Sequence, residues 1–139
     1  LPEPVTAADG LDAEFWAGLE HDELRVQECR TCGTRQFPEW ICHRCLGFDL
    51  SWVPVRPTGT LYSWERVWNP SHPAVTALPY LVVLVQLDDA PEVRMIGNLL
   101  GDPHQTVVID SPLEAAFEHH ERFTLVQWRS AGLRTDPPG

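Results

Sequence analysis

Apolar residues return along this chain with different periods in different places. Between Ala13 and Asp22, Phe15, Trp16 and Leu19 stand at i, i+1 and i+4, on one face of a short helix that Asp12 is placed to cap. Leu24 to Glu28 alternates as a short strand that feeds Cys29. Gly59 to Trp68 alternates over a longer stretch, with Leu61, Ser63, Glu65 and Val67 on one face and Tyr62, Trp64, Arg66 and Trp68 on the other. Pro79 to Leu87 is a continuous apolar run of strand length, suited to a central strand covered on both sides. After a turn at Asp88-Asp89-Ala90-Pro91 comes a further strand over Val93 to Leu100. Gln105 to Phe117 is apolar but broken by Asp110-Ser111-Pro112, and Thr124 to Arg129 makes a last strand.

About five strands with one longer early connection over residues 69–78 predict a small barrel of the OB type, with a general β-sandwich as the alternative. The expected architecture is mainly β. An acidic helical arm occupies residues 1–23, a ribbon built on cysteines residues 24–56, and the barrel with a C-terminal tail residues 57–139. The apolar face of the arm must be buried, either on its own domain or, through a Phe15-Trp16 anchor, on a partner protein.

The ribbon carries the most specific chemistry. Cys29-Arg30-Thr31-Cys32-Gly33 is a tight turn presenting two thiolates, with Gly33 free to take a left-handed backbone that turns amides toward the sulfurs. Cys42-His43-Arg44-Cys45-Leu46-Gly47 repeats that shape. Two such knuckles bring Cys29, Cys32, Cys42 and Cys45 together as a tetrahedral set for one structural Zn²⁺. Two disulfides would need an oxidising compartment, and no signal peptide opens the chain. Iron is geometrically possible, but such four-cysteine ribbons more commonly hold zinc. His43 lies between two ligands and is expected to face solvent rather than to replace one of them.

Composition narrows the function classes. The chain has 139 residues, 43% of them hydrophobic, with six tryptophans, enough to bury a core. No run approaches the roughly 20 apolar residues of a membrane helix. The chain opens at Leu1 rather than Met, which suits a trimmed or excised piece, and the expected compartment is the cytoplasm. The formal charge is −10; residues 1–23 contribute −7, residues 24–56 +2 and residues 57–139 −5. Only the cysteine region is basic. Every basic residue is arginine, so the chain supplies no Schiff-base lysine. Its acidic balance opposes nucleic-acid binding, which depends on neutralising phosphates, although the local arginine excess could meet a phosphorylated cofactor.

Little else suggests catalysis. His119-His120 beside Glu118 and Glu121 resembles acid/base material, yet adjacent strand positions point to opposite faces, and a solvated charged turn is the expected outcome. Ser63 and Ser71 lack a nucleophile-elbow context, and no phosphate-binding glycine loop is present. His72, in the longest loop, is the one histidine singled out for a functional role.

The order of a Phe-Trp helix, Leu-Arg-Val-Gln-Glu-Cys, Cys-x2-Cys-Gly, Phe-Pro, Cys-x2-Cys, Gly-Thr-Leu-Tyr-Ser-Trp and Pro-Tyr-Leu-Val-Val-Leu-Val-Gln-Leu-Asp resembles the thiolase-associated zinc-ribbon OB-fold family. The likeness runs from Phe15 to about Phe117. It departs at Val108-Ile109-Asp110-Ser111-Pro112-Leu113, where the family usually carries a Gly-rich stretch. The resemblance implies a helical arm, a rubredoxin-like zinc ribbon ligated by Cys29, Cys32, Cys42 and Cys45, and an OB barrel. It also implies an accessory role in acyl-CoA chemistry, next to a thiolase or a steroid side-chain aldolase. The chain would be no enzyme on its own but a required component of such a lyase or thiolase complex, in lipid and steroid catabolism. A heterotetramer with a dimeric thiolase-like enzyme is implied, the CoA thioester being bound mainly by that partner. Phe15, Trp16, Tyr62, Trp64, Trp68 and His72 are the candidate partner or acyl-CoA contacts. The competing readings are a nucleic-acid-binding OB module, with Tyr62, Trp64 and Trp68 stacking bases, and a stand-alone acyl-CoA-binding protein or enzyme.

Overall fold

The computed structural model of the chain describes residues 10–69 and 78–131. Its elements run α1 (Ala13–Glu20), β1 (Leu24–Cys29), β2 (Arg35–Gln36), β3 (Leu50–Val55), β4 (Thr58–Val67), β5 (Tyr80–Leu87), β6 (Arg94–Asn98), β7 (Pro112–His119) and β8 (Thr124–Ser130). They make two sheets, ordered β2-β1-β3 and β6-β5-β4-β7-β8, with every strand pair antiparallel. The ends of the second sheet meet. Leu99 bridges in parallel to Trp128, and the Leu100 amide donates to the Trp128 carbonyl over 2.8 Å. Five strands in this order, closed on themselves, form the OB-type barrel.

The helix forms because its apolar face has somewhere to go. Eight residues are too few to hold a helix in water, so packing must stabilise it. Leu19 is fully buried, and Phe15 and Trp16 pack half-buried against the core of their own chain. Asp12 stands at the N-cap without a side-chain capping bond; its carboxylate accepts from Trp16 Nε1 over 3.0 Å instead. The helix stops at Glu20, two residues short of the predicted Asp22. Asp22 turns left-handed at φ 57° and the Glu23 amide returns to the Gly18 carbonyl over 2.8 Å.

One core joins the parts. Leu61, Leu81, Val83, Val85, Leu87, Leu113 and Trp128 fill the barrel, and Leu24, Val26 and Val55 from the first sheet belong to the same cluster. Each such side chain contributes roughly 1.5–3 kcal/mol of burial. Polar contacts reinforce the junction. Arg35 of β2 donates to Glu28 over 3.0 Å and to the Asp89 carbonyl over 2.6 Å, while Arg56 grips the Asp89 carboxylate at 2.7 Å. The Arg56 hydrogen bonds hold the Asp89 carboxyl below the usual carboxylate range.

The period-two reading of β4 holds only up to Leu61. The register steps from Leu61↔Val85 to Ser63↔Leu84, so Tyr62 is an extra, bulged residue and the predicted two faces do not continue through it. Trp68 lies just past the strand. β5 is likewise less enclosed than its continuous apolar run predicts: Leu81, Val83, Val85 and Leu87 enter the core, whereas Tyr80, Val82, Leu84 and Gln86 are half-buried. In the apolar segment 105–117, strand begins only at Pro112, after Asp110 turns left-handed at φ 68°.

Gly59 is where β4 passes closest to β5. A Cβ there would lie 2.4 Å from the Gln86 carbonyl oxygen and 2.6 Å from Val85 Cγ1. Because one of these neighbours is backbone, Gly59→Ala should lower stability by about 1–3 kcal/mol, read as a reduced denaturation midpoint.

Candidate metal centre

Both knuckles fold by the same pair of backbone bonds. In the first, Cys29 N–H donates to the Thr34 carbonyl (2.9 Å) and Gly33 N–H to the Cys29 carbonyl (2.8 Å). In the second, Cys42 N–H donates to the Gly47 carbonyl (2.8 Å) and Leu46 N–H to the Cys42 carbonyl (2.9 Å). The left-handed residue follows the second cysteine each time: Gly33 at φ 79° and Leu46 at φ 64°. Gly33 meets the prediction. In the second knuckle a leucine occupies the place that glycine suits best.

The four sulfurs lie within 4.8 Å of one another. Cys32 and Cys42 Sγ are 3.5 Å apart and Cys29 and Cys45 Sγ 3.6 Å apart, and none of the four cysteines is joined in a disulfide. A zinc ion with sulfurs at about 2.3 Å requires tetrahedral edges of about 3.8 Å, whereas a disulfide requires about 2.0 Å. The set therefore fits zinc and not disulfides. Its electrostatics agree. Bonds to the Thr34 hydroxyl and amide draw the Cys32 thiol down to about 6, and the Cys45 and Arg44 amides lower Cys42. For Cys45 the Gly47 amide acts in the same direction but is outweighed by the crowding thiols and burial, which push it up to about 11. Four adjacent thiols do not all ionise without a cation among them.

Two glutamines, which the sequence reading passed over, position the second knuckle. Gln27 and Gln36 are paired across β1 and β2 and both are buried. Gln27 Nε2 donates to the Glu39 carbonyl (3.1 Å) and its Oε1 accepts from the Glu39 amide (3.0 Å). Gln36 Nε2 donates to Gln27 Oε1 (3.1 Å) and the Ile41 carbonyl (2.9 Å), and its Oε1 accepts from the His43 amide (3.0 Å). The His43 ring Nδ1 lies 2.7 Å from that same Oε1, so it is the donor; His43 is exposed and is not among the clustered ligands. The only advance signal was a polar residue at strand positions next to the cysteines.

The remaining candidates lie elsewhere. Tyr62, Trp64 and Trp68 are exposed on the barrel, with the Arg94 guanidinium 4.0 Å over the Tyr62 ring and that of Arg66 5.3 Å over Trp64. Trp68 packs at 5.9 Å from His104. His72 falls outside the described residues. His119 and His120 are more engaged than a solvated turn implies. His119 Nε2 is 2.5 Å from Asp22 and its Nδ1 3.0 Å from Thr124 Oγ1, while the His120 ring stacks on Phe123 at 4.5 Å. Among the described residues no helix is long and apolar enough to cross a membrane.

Residues 16–51 match the family model described as the ChsH2 rubredoxin-like zinc ribbon domain, and residues 52–118 match the ChsH2 C-terminal OB-fold domain. The chain belongs to the ChsH2 zinc-ribbon OB-fold family. Over 116 residues, 84% of this chain, it is 28% identical to the 3-oxo-4,17-pregnadiene-20-carboxyl-CoA hydratase alpha subunit of Mycobacterium tuberculosis, and it spans only 36% of that relative's length. A chain of a solved structure described as the Ltp2-ChsH2(DUF35) aldolase aligns with a TM-score of 0.81 at 28% identity, covering 93% of this chain and 99% of the other. A DUF35-family protein of unknown function from Sulfolobus solfataricus, at 16% identity, shares the fold with a TM-score of 0.61, covering 85% of this chain and 83% of the other.

Purified protein should carry about one zinc per chain by elemental analysis. Cys42→Ser, at a fully buried ligand, should abolish stoichiometric metal and unfold the ribbon, because ligation and folding are coupled. Gln36→Ala keeps all four sulfurs but leaves buried groups unpaired; it should cost about 1–3 kcal/mol and speed zinc release to a chromogenic chelator. That release should quicken as pH falls, since protons compete for the thiolates.

Proposed function

We propose that this chain is a non-catalytic accessory subunit or domain that binds and stabilises a thiolase-like enzyme and helps to form its acyl-CoA site. The observation that carries this reading is the alignment over 93% of the chain with a component of an Ltp2-ChsH2 aldolase. The steroid acyl-CoA named for the mycobacterial relative makes a steroid side-chain aldolase the favoured partner, with thiolase the broader class. The zinc is structural in this reading, since four cysteine ligands complete a tetrahedral shell and leave no position open for substrate. The CoA thioester is held mainly by the partner, with Tyr62, Trp64 and Trp68 as the contacts this chain offers. Phe15 and Trp16, half-buried against the chain's own core, have less surface left to give. Clustered cysteines that ligate a metal instead of pairing as disulfides suit a reducing compartment such as the cytoplasm.

Co-expression with the thiolase-like protein encoded beside this chain should yield a stoichiometric complex, two copies of each for a dimeric partner, with a mass measurable by light scattering. The isolated chain should turn over no acyl-CoA and should not be retained on single-stranded DNA. Failure to recover the complex at both low and moderate salt would sink the proposal.

A further inference from the structure

We infer that the loop leaving the second zinc knuckle, Leu46 and Phe48 with Arg44 beside them, is the surface by which this chain grips its catalytic partner. The inference rests on the accessory-subunit reading and adds to it where the contact is made and with what chemistry.

The first observation is a comparison of the two knuckles. They share both backbone bonds and the left-handed residue after the second cysteine, but Gly33 fills that place in one and Leu46 in the other. A non-glycine residue there is strained. Leu46 is 64% exposed, so burial in its own chain does not compensate the strain. A leucine held in a glycine position and turned to water is accounted for by a contact made outside the chain.

Phe48, two residues on, is 79% exposed on a backbone tied on both sides. The Gly47 carbonyl accepts from Cys42 N–H and the Asp49 carbonyl from Arg30 N–H, each over 2.8 Å; the Phe48 carbonyl accepts from Leu50 N–H over 3.0 Å. Arg30 Nη1 also reaches the Asp49 carboxylate at 3.0 Å. The ring is thus presented to solvent by a loop anchored to both knuckles. An apolar side chain fixed in advance loses little freedom on docking, which is the property of an interface anchor.

Charge selects the occupant. Arg30 of the first knuckle is paired with Asp49, whereas Arg44 of the second, at the position Thr31 holds in the first, makes no ion pair among the described residues. It stands in the one net-basic section of a chain whose total charge is −10. The matching surface is therefore an apolar recess for Leu46 and Phe48 with a carboxylate facing Arg44, on a folded protein partner. The barrel aromatics compete less well for this role, because Tyr62 and Trp64 already carry guanidiniums of their own chain over their rings.

The test separates stability from binding. Leu46→Gly, Phe48→Ser and Arg44→Glu are made in the full chain. For each zinc-loaded variant alone, zinc content and the thermal midpoint are measured. Affinity is then measured for the purified thiolase-like protein encoded beside the chain. Leu46→Gly should retain its zinc and unfold at the same or a higher temperature, yet bind the partner about tenfold or more weakly. Phe48→Ser should lose at least as much affinity, and Arg44→Glu should weaken binding most at low salt. Wild-type affinity in both Leu46→Gly and Phe48→Ser overturns the inference. So does a lowered midpoint or lost zinc in Leu46→Gly, which would make the leucine structural. Concentration-dependent self-association of the wild type that Phe48→Ser abolishes would assign the surface to a second copy and also overturn it. Absence of any complex with the wild-type chain is distinct from these results: it removes the accessory-subunit reading and this surface together.

Discussion

Four thiols confined within 4.8 Å are an unstable arrangement by themselves, and much of the ribbon is organised around that constraint. Their mutual repulsion as thiolates has to be met by a cation, and backbone amides and the Thr34 hydroxyl already lean two of them toward ionisation. The strands alone could not impose this geometry. β2 has only two residues, and the segment from Phe37 to Ile41 has no strand or helix of its own. Metal ligation and the Gln27–Gln36 amide pair divide the work. The amides set the path between the knuckles, and the cation closes them on each other.

The barrel is organised by a different force. It buries its own apolar interior, and it extends that interior to accept α1 and the first sheet through Leu19, Leu24, Val26 and Val55. A ribbon this small could not bury a core alone. Its attachment is therefore hydrophobic at the base and ionic at the side, where Arg35 and Arg56 meet at Asp89.

What could be foreseen in the sequence was what repeats or has a fixed period. The two Cys-x2-Cys motifs marked the four sulfurs that the fold gathers, and the spacing of Phe15, Trp16 and Leu19 marked the buried helix face. The barrel strands followed in place and order from apolar alternation or apolar runs, but the faces of β4 and the start of β7 did not. Features that depend on contacts distant in sequence were hidden. Nothing local marks Tyr62 as a bulge, because an extra residue shows only against the facing strand. Nor does the sequence reveal that Gln36 satisfies three backbone or side-chain groups of the second knuckle, or that His119 reaches back to Asp22 across the fold. Leu46 is an intermediate case. The repeat placed it opposite Gly33, but its left-handed backbone had to be seen.

The junction at Asp89 has a mechanical consequence. Because one carboxylate and one carbonyl of the β5–β6 turn hold arginines from the ribbon and from the link into the barrel, ribbon and barrel do not pivot freely about residues 56–57. Ribbon and barrel are thus joined at two separate places, the shared apolar core and the polar clasp at Asp89, rather than by the connecting chain alone.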